Sequence, residues 1–127
     1  MEKYSQMYPN IINIFDFNSN PYLHVSDIMI TDAGGVGFEY ILLDKPVIFF
    51  DVPEYFERYG CSGIDYWGRK AGMIIKKPEE IQEAINSALN NPMERSDLRK
   101  ELKNRLIYNP GNSARKASEI IIQILDK

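Results

Sequence analysis

Four short apolar runs divide the first two-thirds of the chain: Ile11-Ile12-Asn13-Ile14-Phe15, Ile28-Met29-Ile30-Thr31, Val47-Ile48-Phe49-Phe50 and Met73-Ile74-Ile75. They are β-branched or aromatic and show little polar alternation, the pattern of strands buried on both faces. Helical signals lie between and after them. Pro21 opens a short helix, where its missing N–H and fixed φ carry no penalty. Val36, Tyr40 and Leu43 fall at helix-compatible spacing between Gly35 and Leu43. Pro78-Glu79-Glu80 makes a favourable first turn, with acids near the positive end of the helix dipole. Ile81, Ala84, Ile85, Ala88 and Leu89 then form one apolar stripe. Pro92 predicts a further helix to about Tyr108. Asn109-Pro110-Gly111-Asn112 breaks it, and Asn112 is placed to cap a last helix carrying Ala114, Ala117, Ile121, Ile124 and Leu125.

Short strands alternating with helices predict an α/β fold, a parallel sheet with helices on both faces. One domain over residues 1–127 suits the length. Asp51 to Gly72, rich in Tyr, Gly and charge, reads as a long functional loop.

Composition narrows the class. At 44% hydrophobic and 26% charged residues the chain is globular, with no disordered or coiled-coil bias. The single cysteine, Cys61, excludes an internal disulfide and fits a reducing compartment. Apolar runs of four residues, as at Val47–Phe50, fall far short of a membrane span. Met1–Ser5 does not read as a signal peptide. The expectation is a soluble, cytoplasmic domain. A net charge of −3 argues against nucleic acid as a partner, yet residues 1–65 carry 3 basic and 10 acidic side chains and residues 66–127 carry 12 and 8. The basic C-terminal part either meets something anionic or simply solvates a helix through Arg95, Arg99, Lys100, Lys103 and Arg105.

Ligands of open parallel sheets bind beyond the carboxyl ends of the strands. That rule selects Asp16–Asn20, Asp32–Gly37 and Asp51–Gly72. In Thr31-Asp32-Ala33-Gly34-Gly35-Val36-Gly37 a strand meets a helix through adjacent glycines. Their backbone can approach a phosphate closely, and the helix start offers free N–H groups. Gly34, Gly35 and Val36 are therefore the candidate phosphate-binding residues. The alternative is a tight turn that needs φ > 0. Glu39, about one turn into the helix, is the candidate ribose-binding carboxylate, and Asp32 suits loop bracing or helix capping. In the long loop Tyr55, Tyr59, Tyr66 and Trp67 can stack on a base, and Arg58, Arg69 and Lys70 can meet phosphate. Self-packing of an amphipathic loop is the plainer reading for any one of them. His24 and Cys61 lack the partners that a catalytic residue needs. No cluster has metal-ligand spacing, and nothing calls for a cofactor.

Residues Pro21–Asp32 and the stretch from Val36 to Phe50, with Phe38-Glu39-Tyr40 and Leu42-Leu43-Asp44-Lys45-Pro46 inside it, resemble the C-terminal region of the CDP-glycerol glycerophosphotransferases. Those are the enzymes of teichoic acid polymer assembly. Tyr66-Trp67-Gly68-Arg69 and Tyr108-Asn109-Pro110-Gly111-Asn112 resemble more divergent members. The resemblance implies a Rossmann-like domain, the C-terminal half of a GT-B transferase, that holds the nucleotide. It also implies CDP-glycerol as donor and a membrane-linked polyol phosphate as acceptor, at the cytoplasmic face of the membrane. The partner domain bearing the catalytic histidine is missing, so the resemblance implies an incomplete domain that is inactive alone. Tyr66, Trp67 and Arg69 become candidate base or phosphate contacts. Asp32-Ala33-Gly34-Gly35 is also similar to the Asp-Ser-Gly-Gly of UDP-N-acetylglucosamine 2-epimerases, which keeps a UDP-sugar donor open. A non-catalytic remnant that pairs with itself as a homodimer is the third reading.

Overall fold

Three of the four apolar runs become strands in the computed structural model, which describes residues 2–108 and 110–126, with side chains from residue 4 onward. Helices α1 (Glu2–Met7) and α2 (Asn20–Val25) precede β1 (Met29–Thr31). α3 (Gly35–Ile41) leads to β2 (Val47–Phe50), and α4 (Pro53–Tyr59), α5 (Ile64–Trp67) and a 3-10 turn at Gly68–Ala71 lead to β3 (Met73–Ile75). A second 3-10 turn, Pro78–Glu80, opens α6 (Ile81–Asn90), followed by α7 (Ser96–Leu106) and α8 (Ser113–Leu125). The strands form one parallel sheet in the order β1-β2-β3, with Ile30 beside Ile48 and Phe49 beside Ile74. This is the α/β arrangement that the alternating pattern predicts, and it fits the Rossmann-like domain that the resemblance implies.

β2 is apolar throughout because it is the central strand, covered on both sides. Val47 and Phe49 enter one cluster with Leu23, Phe38, Tyr40, Ile41, Ala71 and Leu102. Ile48 enters the other, with Ile75, Ala84 and Ala88. The stripe on α6 is therefore legible: Ala84 and Ala88 are small enough to bring the helix close to the sheet. Phe49 lies between two glycines. A Cβ on Gly37 would stand 2.9 Å from its ring, and one on Gly72 would stand 2.7 Å from its ring and 2.6 Å from the Val47 carbonyl oxygen.

The turn from α3 into β2 ties three helices together. Asp44 sits at φ 58°, a left-handed conformation that Asp tolerates better than most residues. Its carboxylate accepts hydrogen bonds from Ser96 Oγ at 2.7 Å and Arg99 Nε at 2.8 Å. Burial by itself would raise the Asp44 pKa. The hydrogen bonds from Ser96 and Arg99, with the charges of Arg99 and Lys100, outweigh it and hold the carboxyl below the usual range. Lys45 Nζ donates to the carbonyls of Leu23, His24 and Ser26, closing the C-terminal end of α2. Buried Tyr40 donates its hydroxyl to the Ser26 carbonyl at 2.8 Å.

Four expectations are corrected. Ile11–Phe15 is not a strand: no ladder partner lies beside it among the described residues, and Ile12 and Phe15 are about four-fifths exposed. A β-branched run supplies propensity, and a strand also needs a neighbour. Asp51–Gly72 is largely helical, because Pro53 and Gly63 each start a short helix within it. Pro92 opens a turn, and α7 begins only at Ser96. Asn112 precedes α8 without a side-chain capping bond. The α8 stripe meets no core, for no described residue of that helix is buried. Among the described residues no helix is long and apolar enough to cross a membrane.

Candidate functional site

Parallel strands bring their carboxyl ends to one edge, so Thr31, Phe50 and Ile75 deliver the segments after them to a common rim. Two depressions open there, one on each side of the first turn of α4. The first, about 270 Å³, is lined by Asp32, Ala33, Gly34, Val52 and Tyr55. The second, about 530 Å³, is lined by Asp51, Pro53, Phe56, Glu57, Cys61, Tyr66, Arg69, Ile74 and Lys76.

The glycine turn enters α3 without a left-handed residue: Gly34 has φ −71° and ψ 151°, and neither it nor Gly35 has positive φ. Backbone strain therefore does not explain the glycines. A Cβ on Gly35 would meet nothing within 4 Å, so the fold leaves that position open. The Gly34 N–H is already engaged, donating to Asp32 Oδ1 at 3.0 Å. Gly35 and Val36 open α3, where helix geometry gives their N–H groups no intrahelical acceptor. Glu39 is exposed on the same helix. The Asp65 carboxylate is the main influence on the Tyr55 hydroxyl. With desolvation and the nearby charges of Asp65, Tyr59 and Asp32, it raises the phenol above its ordinary pKa.

The second depression is organised around Arg69. This side chain is 4% exposed, and its Nη1 donates to Asp51 Oδ1 at 3.0 Å. Its guanidinium lies 4.2 Å from the Phe56 ring centre and 5.5 Å from that of Tyr66. Nε is buried without a hydrogen-bond partner, an arrangement that costs about 1–3 kcal/mol unless something satisfies it. At the end of β3 the Glu80 carboxylate accepts the backbone N–H groups of Lys76 and Lys77, and these bonds hold its pKa down.

The structure thus joins Tyr66 and Arg69 and separates Trp67 from them. Trp67 packs on the core, with the Arg105 guanidinium 4.4 Å from its ring centre. Tyr59 stacks on Tyr55 and takes Arg58 over its own ring, so these residues pack on one another. Lys70 turns toward Glu101, at 3.6 Å. Within the basic run Arg99 is buried against Asp44 and half-buried Arg95 donates to the Lys70 carbonyl, while Lys100, Lys103 and Arg105 are exposed. Asp16–Asn20 follows no strand, which removes the reason for placing it at the ligand edge. His24 is exposed on α2, away from the strand ends. Among the described residues no group of His, Cys, Asp and Glu can hold a metal ion.

Comparison with known proteins decides the family. The family described as CDP-Glycerol:Poly(glycerophosphate) glycerophosphotransferase matches residues 5–123, nearly the whole chain. The chain belongs to the CDP-glycerol glycerophosphotransferase family. It is similar to the teichoic acid poly(ribitol-phosphate) polymerase of Bacillus spizizenii strain W23, with 48% identity over 83 residues, which are 61% of this chain and 13% of that protein. It is also similar to the teichoic acid poly(glycerol phosphate) polymerase of Bacillus subtilis strain 168, with 35% identity over 63 residues, 48% of this chain and 8% of that protein. The matched segments are a small part of both relatives. No solved structure matches the chain.

Within this glycerophosphotransferase domain, sequence reasoning missed Asp51, Phe56 and Lys76 as lining residues. Asp51 and Lys76 each follow the last residue of a strand, a position that the strand-end rule already marks. Phe56 carried no such signal, since only the fold brings its ring under Arg69.

Proposed function

We propose that this chain is the donor-nucleotide-binding domain of a CDP-glycerol-type glycerophosphotransferase. The diphosphate lies against the free N–H groups of Gly35 and Val36, with Gly34 forming the approach and Asp32 bracing it. Glu39 takes the ribose hydroxyls. The observation that carries this reading is the family match over residues 5–123, which includes the whole glycine turn. The open space at Gly35 supports it, because the fold does not itself require a glycine there. Proton transfer falls to another part of the enzyme, and residues 1–127 form one Rossmann-like domain that is inactive alone. The acceptor is a membrane-linked polyol phosphate, met at the cytoplasmic face.

Chemically, an acceptor hydroxyl oxygen bonds the glycerol-bearing phosphorus and the bridging P–O bond of the diphosphate breaks. Glycerol phosphate is transferred, CMP leaves, and the site stabilises the charge that develops on the leaving phosphate. The dipole of a short helix is a modest contributor, worth about 0.3–1 kcal/mol. Weak, millimolar-range binding is the expectation.

CDP and CDP-glycerol should shift the amides of Gly35 and Val36 in a nuclear magnetic resonance titration. No shift at millimolar CDP would sink the reading for this chain. The similarity of Asp32-Ala33-Gly34-Gly35 to the epimerase turn supports a UDP-sugar as the second reading, and stronger shifts with UDP than with CDP or GDP would select it. Gly35→Val should weaken CDP about tenfold or more, equivalent to roughly 1.4 kcal/mol. Stability should change by only about 0.5 kcal/mol, as at other surface positions. A variant that binds CDP normally would remove the turn from the site.

A further inference from the structure

We infer that Arg69 is a positioning residue: buried against α4, it fixes the wall that Val52 and Tyr55 present to the glycine turn. The hold on α4 rests on its own geometry; the benefit to a bound nucleotide rests on the donor reading above.

Three observations carry the inference. First, α4 has a single buried residue, Phe56, so the place of the helix depends on what that ring meets. It meets Arg69. The guanidinium lies 4.2 Å from the Phe56 ring centre and 5.5 Å from that of Tyr66, and the two rings meet edge to face at 5.1 Å. Asp51, just ahead of α4, accepts from Arg69 Nη1 at 3.0 Å and donates its backbone N–H to the Ile75 carbonyl at 2.8 Å. Arg69 therefore holds α4 twice, at the chain that enters it and at its buried ring.

Second, these two holds bracket the wall. Val52 follows Asp51 and Tyr55 precedes Phe56, and both line the depression with Asp32, Ala33 and Gly34. Tyr55 also stands edge-on to Phe56, at 5.1 Å between ring centres, so its ring is tied to the one that lies on Arg69.

Third, the arrangement is a poor source of stability. A buried ion pair repays little more than its own desolvation, and Arg69 Nε has no hydrogen-bond partner among the described residues. An apolar side chain would fill the same space as well. What the guanidinium adds is direction. Its plane stacks on rings while its fork reaches a carboxylate, a combination that lysine does not reproduce.

The test measures hydrogen exchange in the free 127-residue chain and CDP binding by amide titration. Arg69→Lys should speed exchange in α4 about tenfold while β2 and α6 keep their protection. It should also weaken CDP about tenfold, read at Gly35 and Val36, because Tyr55 is no longer held in advance. Tyr55→Ala alone should weaken CDP to a similar extent. In that background Arg69→Lys should have little further effect on CDP, which a general loss of stability would not produce. Tyr66→Leu removes one ring of the stack at an exposed position and should act in the same sense, about threefold. It keeps the proposal testable if Arg69→Lys does not fold. Unchanged exchange in α4 would overturn the hold. Unchanged CDP affinity in Arg69→Lys, or an equal loss with and without Tyr55, would overturn the positioning role and spare the donor reading. If CDP leaves Gly35 and Val36 unshifted in the wild type, the donor reading falls, and exchange in α4 decides whether Arg69 fixes the wall.

Discussion

Phe49→Ala is expected to cost about 4 kcal/mol of folding stability, the range for removing a fully buried aromatic side chain. Phe49 is fully buried on the central strand and meets Phe38 at a ring separation of 5.9 Å. The cost is high because the backbone on both sides is already as close as it can come: Gly37 and Gly72 lack the Cβ that would intrude on the ring. With no side chain at either glycine to lean into the gap, the void stays open, and the lost contacts are not recovered. Urea denaturation should show the midpoint falling with little change in slope, and a loss below about 1.5 kcal/mol would contradict this account. A double-mutant cycle adds a sharper test. Gly37→Ala alone brings a Cβ to 2.9 Å from both the Phe49 ring and Thr31 Cγ2. In the Phe49→Ala background the ring contact is gone, so the two losses should fall short of additivity by about 1 kcal/mol. Strict additivity would mean that the ring does not set the Gly37 constraint.

Asp44→Asn should cost roughly 3 kcal/mol at neutral pH, the lower end for removing one partner of a buried ion pair. Arg99 is 2% exposed and would lose its counter-charge while remaining buried. Asn keeps the shape of the side chain and tolerates the left-handed φ of 58°, so the substitution isolates the charge. The sign with pH follows from the depressed carboxyl. A carboxylate whose pKa is lower in the folded than in the unfolded chain stabilises above the unfolded value. That contribution disappears as pH falls through the folded value. The gap between wild type and Asp44→Asn should therefore be widest near neutrality and close as pH falls below the ordinary aspartate value of 3.8. Stability curves that stay parallel from neutral pH down to strong acid would remove the ion pair as the cause.

Legibility varied with how local the determining physics was. Val47–Phe50 was readable because a strand covered on both faces has to be apolar at nearly every position, and Met73–Ile75 by its apolar run, although Ile74 on this edge strand is exposed. The α6 stripe was readable because Ala84 and Ala88 recur at helical spacing on its buried side. The glycine turn was readable as a segment, while its chemistry was not: both free approach and a φ > 0 turn fit the letters. The observed φ of −71° at Gly34 removes backbone strain as the explanation for that residue. Ile11–Phe15 misled because β propensity shows only what a segment would do beside a partner. Asp51–Gly72 misled because its helices span seven and four residues, too short for periodicity to register.

By itself, then, the amino-acid sequence determined the α/β class, the three parallel strands, the glycine turn at a strand end and the family. Each of these rests on residues adjacent in the chain or spaced by one turn of helix. Tertiary structure alone decided that Arg69 is a buried cation beside Asp51 and that Trp67 turns away from it. It also decided that Arg99 clamps Asp44 across 55 residues. An arginine has the same letter whether it is solvated or enclosed. Which of the two it is depends on the carboxylates and rings that distant segments bring to it, and with that its charge either faces solvent or forms part of the interior.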